Sequence, residues 1–248
     1  MSLPVFLHSA PLPQTGAVEL TGSEGRHAVS AKRIGIGEHI ELVDGHGSRA
    51  LIEVQEISGK DTLRGMILQC DKEIPQCPHI TVIQALPKSE RSELTVDLLT
   101  QAGADAIVPW QASRCIAQWS GPKADKGIKK WQSAVLAAAK QSRRSYLPEI
   151  YPLSSTPQLR EICTEMDLVL VLAEDSAQPI AQALRDYPHV QRLALIVGPE
   201  GGISPEEYQV FIDLGAHLVK LGPEVLRTAA AGMAALAALG VLTPRWSL

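Results

Sequence analysis

Two short runs near the C-terminus hold the residues best suited to chemistry. The first is Gly198-Pro199-Glu200-Gly201-Gly202-Ile203-Ser204; the second is Leu221-Gly222-Pro223-Glu224-Val225-Leu226-Arg227-Thr228. In each, glycine lets the backbone approach a ligand closely, while proline stiffens the loop and removes an amide donor. Such a pair grips a flat polar group through main-chain atoms. Neither run is a phosphate cradle of the familiar kinds: no GxGxxG and no GxxxxGK[ST] occurs, which disfavours a nucleoside triphosphate or a dinucleotide. Arg227 and Glu200 carry the charges that could act on a substrate. A fixed guanidinium can meet a developing anion or position a phosphate, and a carboxylate raised by burial can take a proton. The competing roles are an ion pair of Arg227 with Glu200 or Glu224, and a Glu200 that only binds loop amides. The seven histidines show no HExxH or triad spacing, and the four cysteines form no CxxC pair. No metal site is expected, and the cysteines read as small apolar fillers.

Both runs must be held at strand ends, and the surrounding pattern supplies the strands. Leu168 to Ala173 and Leu193 to Val197 are unbroken apolar runs of the kind found in parallel strands covered on both faces. Ile80 to Ala85 and Ala106 to Pro109 read as further strands, with helices over Ser89 to Gly103 and Lys129 to Gln141. Ser204-Pro205-Glu206-Glu207 has the spacing of a capping box, opening a helix that stops near Gly215. Ala216 to Leu221 then reads as a last strand and Arg227 to Leu242 as an alanine-rich helix. In this α/β arrangement the two loops fall at the carboxyl ends of strands, where open sheets place their ligands.

The first part of the chain reads differently. Short alternating runs over 17–20, 39–43, 50–54 and 63–68 are punctuated by glycine, as in a small β barrel or sandwich. Asp44-Gly45-His46-Gly47 supplies the turn of a hairpin. The pattern breaks between Gln69 and Pro78, so the expected domains are 1–72 and 73–248.

Composition narrows the functional classes. With 248 residues, 45% of them hydrophobic and 20% charged, the chain can bury one or two cores, and its net charge of −4 rules out a uniformly basic binder. No apolar run approaches the roughly 20 residues of a membrane span, and Met1 to Ala10 lacks the pattern of a secretory signal. A cytoplasmic setting is expected. Between Gly121 and Arg160, however, eight cations stand against only Asp125 and Glu149. A localised basic block in an acidic chain points to one polyanion contact, with a solvated helix face as the bland alternative. Trp110, Trp119 and Trp131 could stack bases, although core or interface packing is the simpler role.

The paired loops resemble the signatures of the 16S ribosomal RNA uracil-N3 methyltransferases of the SPOUT superfamily. The run from Gly198 to Glu207 matches G-P-E-G-G-I-S-x-x-E, and Leu221 to Thr228 matches L-G-P-x-V-L-R-T. Their order and separation are highly specific, and the resemblance spans the chain. It includes His27, Arg33, Gly37 and Asp44-Gly45; Lys88, Arg91 and Glu93; Ile107-Val108-Pro109 with Arg114-Cys115; and Gln141, Arg144 and Pro148-Glu149-Ile150. It departs at Gln101-Ala102-Gly103, where the family has E-L-G, and at Lys140, where a glutamate is frequent. After Thr228 stands Ala229-Ala230-Ala231 in place of E-T-A, which removes a carboxylate beside the loop.

The resemblance implies a PUA-like β-barrel followed by an α/β SPOUT domain with a deep C-terminal trefoil knot, and a homodimer. It implies S-adenosylmethionine as cofactor, held by Leu172, Ala173, Gly198, Pro199, Glu200, Gly201, Leu221, Gly222, Leu226, Arg227 and Thr228, with Arg227 and Glu200 catalytic. The substrate would be 16S RNA, in the assembled 30S subunit. RNA contacts are expected from Arg26, His27, Lys32 and Arg33, from Lys88, Arg91 and Arg114, and from Arg143 and Arg144. Two alternatives stay open: a non-catalytic RNA-binding or ribosome-assembly protein, and a related methyltransferase with another target. If these cations neutralise phosphates, RNA affinity measured against salt should fall with a log–log slope of about −0.7 per contacted phosphate on single strands. A solvated helix face would leave the slope near zero.

Overall fold

The computed structural model describes residues 3–247. The chain packs as two compact units. One comprises the residues up to Pro75 together with Ala139–Leu147; the other comprises Gln76–Ala138 and Pro148 onward.

The first unit is a five-stranded sheet. Its strands are β1 (Val5–Leu7), β2 (Gly16–Leu20), β3 (His39–Val43), β4 (Ser48–Ser58) and β5 (Thr62–Lys72), in the order β1-β3-β4-β5-β2. All pairs are antiparallel except β1 with β3. Side chains alternate along β4, and its inward set Ala50, Ile52 and Val54 joins Phe6, Ile40, Leu42 and Leu63 in a buried core. Register shifts at Leu51/Ile52 and Val54/Glu56 bend β4 against β5, curling the sheet over that core. A short helix, α1 (Gly22–Arg26), runs into a π-helical turn at His27–Ala31, and the turn is followed by Arg33 at φ 56°.

The hairpin between β3 and β4 is built as its sequence asks: Asp44 Oδ1 accepts from the amides of His46 at 2.8 Å and Ser48 at 2.9 Å. It also receives the returning segment Ala139–Leu147. Leu147 N donates to Gly45 O and Gly47 N to Ser145 O, both at 2.9 Å. Glycine is required at 47 twice over, by its φ of 95° and by the Tyr146 ring, which lies 2.1 Å from where a Cβ would stand. Lys140 Nζ pairs with Glu24 Oε1 at 2.6 Å, tying the segment to α1. The expected division into 1–72 and 73–248 has no place for this segment, because the contacts that recruit it lie about 100 residues from it in sequence.

The second unit is a six-stranded, wholly parallel sheet. It contains β6 (His79–Ala85), β7 (Ala106–Trp110), β8 (Glu149–Ile150), β9 (Leu168–Leu172), β10 (Arg192–Val197) and β11 (His217–Val219), in the order β11-β9-β10-β6-β7-β8. Its helices are α2 (Ser92–Gln101), α3 (Pro122–Gln141, which runs on into the first unit), α4 (Leu159–Thr164), α5 (Ile180–Arg185), α6 (Pro205–Asp213) and α7 (Thr228–Leu242). Central strands β6 and β10 are buried along almost their whole length, which is why they read as continuous apolar runs. After the edge strand β11 the chain returns across the sheet, and α7 packs on α2, β10 and β6. A Cβ at Gly232 would stand 2.6 Å from Leu99 Cδ2, so glycine permits this close helix contact.

Several details depart from the sequence reading. Helix α3 starts at Pro122, seven residues before the apolar period becomes visible, and β11 is shorter than the run from 216 to 221. Strands β1 and β8 and helices α4 and α5 are too short to carry a period. Cys115 and Cys163 are buried fillers whose thiols burial pushes up to about 11, but Cys77 is exposed and Cys70 half-buried. Trp110 and Trp131 lie fully buried in this core, with Trp119 edge-on to Trp131 at 5.3 Å. No helix of the described residues is long and apolar enough to cross a membrane.

Arg245 closes the unit. Its buried guanidinium donates to Asp105 Oδ2 at 2.6 Å, to Gly103 O at 2.6 Å and to Pro78 O, tying the end of the chain to the starts of β6 and β7. Arg245→Ala should cost about 3 kcal/mol in urea unfolding, because it leaves the Asp105 carboxylate without its cation.

Candidate active site

The carboxyl ends of β9, β10 and β11 open onto a cleft of about 610 Å³. Both glycine-bearing loops line it. The first turns on a Gly202 N–H to Pro199 O bond of 2.9 Å, with Gly202 at φ +74°. A Cβ at Gly198 would stand 2.7 Å from Ile203 Cγ1, and one at Gly201 would stand 3.0 Å from Arg114 O. These glycines are therefore set by the packing of the loop on itself and on the segment after β7.

The second loop follows Lys220. Among the described residues, none of the main-chain N–H or C=O groups of Leu221, Gly222, Glu224, Val225 and Leu226 bonds within the protein. Unpaired backbone groups on a cleft wall have to be met by water or a ligand. Leu172 and Ala173, at the end of β9, form part of the wall, as do Pro199, Glu200, Arg227 and Thr228. All eleven residues expected at a cofactor are thus brought to one cavity.

The two catalytic candidates differ in their partners. Arg227 is exposed at the start of α7 and makes no ion pair among the described residues, so neither Glu200 nor Glu224 neutralises it. Glu200 is also exposed, and its Oε1 accepts from Lys88 N at 3.2 Å.

The cleft walls are fixed from behind by Glu207. Its buried carboxylate accepts four hydrogen bonds: Ser113 N at 2.8 Å and Thr156 Oγ1 at 2.9 Å on Oε1, Ser113 Oγ at 2.9 Å and Ser204 N at 3.1 Å on Oε2. Ser204 Oγ in return accepts from Glu207 N, completing the capping box that the sequence predicts. Trp110 Nε1 extends the network to Thr156 Oγ1 at 3.0 Å. Burial pushes the Glu207 carboxyl up, but the donors from Ser113, Ser204 and Thr156 outweigh it and hold the group below the usual glutamate range.

A family model described as an RNA methyltransferase domain matches residues 73–240, and one described as an RNA methyltransferase PUA domain matches residues 20–65. The ribosomal RNA small subunit methyltransferase E of Mycobacterium bovis is 46% identical over 240 residues, covering 95% of this chain and 90% of its own. The chain belongs to the ribosomal RNA small subunit methyltransferase E family. The Bacillus subtilis member is 28% identical over 245 residues, covering 96% and 95% of the two chains. Two solved structures carry S-adenosylmethionine. One is a Neisseria gonorrhoeae member of this family, with a TM-score of 0.84, 28% identity and 98% of each chain covered. The other is a putative methyltransferase from Legionella pneumophila, with a TM-score of 0.86, 26% identity and 98% and 99% covered. These likenesses establish the PUA-type first domain and the parallel-sheet RNA methyltransferase domain of the family.

The nine expected RNA contacts of this family member are divided between the units. Arg26, His27, Lys32 and Arg33 lie on or just after the helical turns of the first unit, and Arg143 and Arg144 lie on its returning segment. Arg143 holds φ 59°, and its carbonyl accepts from Arg49 Nη2 at 2.6 Å. Lys88 and Arg91 bracket the single 3-10 turn that leads into α2, and Arg114 lines the cleft. Part of the basic block is spent within the protein, Lys140 on Glu24 and Lys130 on Glu93.

Sequence reasoning missed Glu174, Asp175 and Tyr208 on the cleft wall. The two carboxylates directly follow the apolar run ending at Ala173, and that position was the available signal. Burial, with Asp175 and Glu174 beside it, pushes the Tyr208 phenol up, so it stays a neutral donor. Because the Glu207 carboxyl is lower in the folded chain than in the unfolded one, its stabilisation is complete above about pH 4.3 and is lost as pH falls through the folded value. Melting temperature should drop on acidification below about pH 4, and Glu207→Gln should flatten that acid limb in a calorimetric series.

Proposed function

We propose that this protein methylates N3 of a uridine in the 16S RNA of the small ribosomal subunit, using S-adenosylmethionine. The observation that carries the reading is the convergence of both motif loops on one cleft, with an unneutralised Arg227 at its edge. The cavity is of the size small-molecule sites take, and the unpaired backbone of 221–226 offers the donors and acceptors that a purine and a ribose require. Leu172, Ala173, Gly198, Gly201, Leu221, Gly222 and Leu226 would hold the cofactor, with Pro199 and Thr228 shaping the loop ends. Once bound, S-adenosylmethionine supplies a methyl group on a sulfonium, already a good donor.

The protein then has to orient the uracil and stabilise it as it loses its imide proton. The resulting negative charge is shared over N3, O2 and O4. The Arg227 guanidinium, carried on the N-cap residue of α7 and in no ion pair among the described residues, meets that charge at the cleft edge. Glu200 takes the lesser role: it ties the first loop to the segment between β6 and α2 through the Lys88 amide.

The alternative of a non-catalytic RNA binder drew on Ala229 in place of a glutamate. Ala229 is buried in the first turn of α7 and is not among the residues lining the cleft, so the cleft formed by both motif loops is present without that glutamate. We read the return of the chain from β11 to α7 as the threading of the trefoil knot. Exposed Val225, Leu226 and Met233 favour a homodimer. Ribosomal RNA as substrate puts the work in the cytoplasm, and the cations of both units suit several RNA segments of the 30S particle.

Mass spectrometry of 16S RNA from particles treated with the protein should detect 3-methyluridine. Arg227→Ala should lower kcat by about 10²- to 10³-fold, while Glu200→Gln should lower it by less than about tenfold. Absence of any methylated base from 30S particles and free RNA alike would remove the proposal.

A further inference from the structure

We infer that Glu207 is a positioning residue for methyl transfer, acting through Ser113 to hold Arg114 against the substrate RNA at the cleft wall. The inference rests on the function proposed above and adds a residue that touches neither cofactor nor substrate.

A helix cap needs one carboxylate oxygen and one amide. Here Oε2 serves the cap at Ser204, yet the same carboxylate also takes the amide and the hydroxyl of Ser113 from a loop 94 residues away. Thr156 shares Oε1, leaving the group saturated and without freedom to turn. The next residue after Ser113 is Arg114. Its backbone lies against Gly201, with the carbonyl 3.0 Å and the side-chain Cβ 3.2 Å from the position of a Gly201 Cβ, and its guanidinium lines the cleft. One buried charge therefore sets both the first motif loop and the start of the Arg114 side chain. Among the described residues no carboxylate stands within ion-pair distance of the Arg114 guanidinium; exposed Glu206 is its nearest acidic influence, and the head makes one long Nη1 approach of 3.5 Å to Gly201 O. A cation held by its backbone, with no carboxylate in direct contact with its head, is arranged to take an external anion, which in this reading is a phosphate next to the flipped uridine.

Methylation of 30S particles is measured for the wild type, Ser113→Ala, Arg114→Ala and the double variant, with melting temperature and S-adenosylmethionine Kd for each. Arg114→Ala should raise KM for particles about tenfold, and Ser113→Ala about fivefold, with kcat and cofactor Kd within about twofold. The double variant should be no worse than Arg114→Ala alone, because the serine acts only through the arginine. Ser113→Thr, which keeps the hydroxyl, should restore the wild-type KM. Should Ser113→Ala not fold, Ser113→Cys, which keeps the side-chain volume but weakens the bond to Glu207 Oε2, takes its place in the same cycle with the same expectation. Independent losses that multiply to about 50-fold, or an unchanged KM for Ser113→Ala, overturn the inference while leaving the function intact. A wild-type protein that methylates neither particles nor RNA overturns both.

Discussion

A single buried carboxylate, Glu207, sets the geometry on which the cleft depends. Removing such a group from water is costly unless its lone pairs are met, and here four donors from three separate segments meet them. The cap of α6, the loop after β7 and the loop carrying Thr156 are brought to one point as a result. Trp110 joins through Thr156 and packs edge-on against Phe211 of α6 at 5.4 Å, so polar and apolar contacts close the same junction. The motif loop between β10 and α6 is thereby held at both ends, by the sheet and by the cap.

The rest of the site follows from sheet geometry. Parallel strands end together on one side, and the three that end here, β9, β10 and β11, each release a loop into the same space. Close packing at Gly198 and Gly201 narrows the first loop, whereas the second keeps its backbone groups unpaired. One wall is thus rigid and the other is chemically open, a division that suits a ligand recognised through main-chain atoms.

How much of this was legible in the sequence varies with the range of the forces involved. The buried strands, the hairpin at Asp44 and the cap at Ser204 depend on neighbours within a few residues, and their patterns are plain. The cleft lining was legible because glycine and proline at strand ends report backbone demands directly. Ser113 and Thr156 were not, since nothing near them in sequence signals a carboxylate 94 and 51 residues away. Glu200 shows the opposite case: its residue type allowed a base, and neither its exposure nor its bond to Lys88 N could be read from its neighbours in sequence. Short elements such as β8 and α5 were lost because two to six residues cannot display a period.

The returning segment Ala139–Leu147 gives the chain a particular order of assembly. Its hydrogen bonds to Gly45 and Gly47 and its ion pair to Glu24 belong to the N-terminal sheet, yet its residues are made some 70 positions after that sheet's last strand. During synthesis on the ribosome the early domain must therefore wait, with its hairpin face uncovered, until β6, β7 and α3 have emerged. No single cut in the polypeptide can separate the two halves without leaving one of them unfinished.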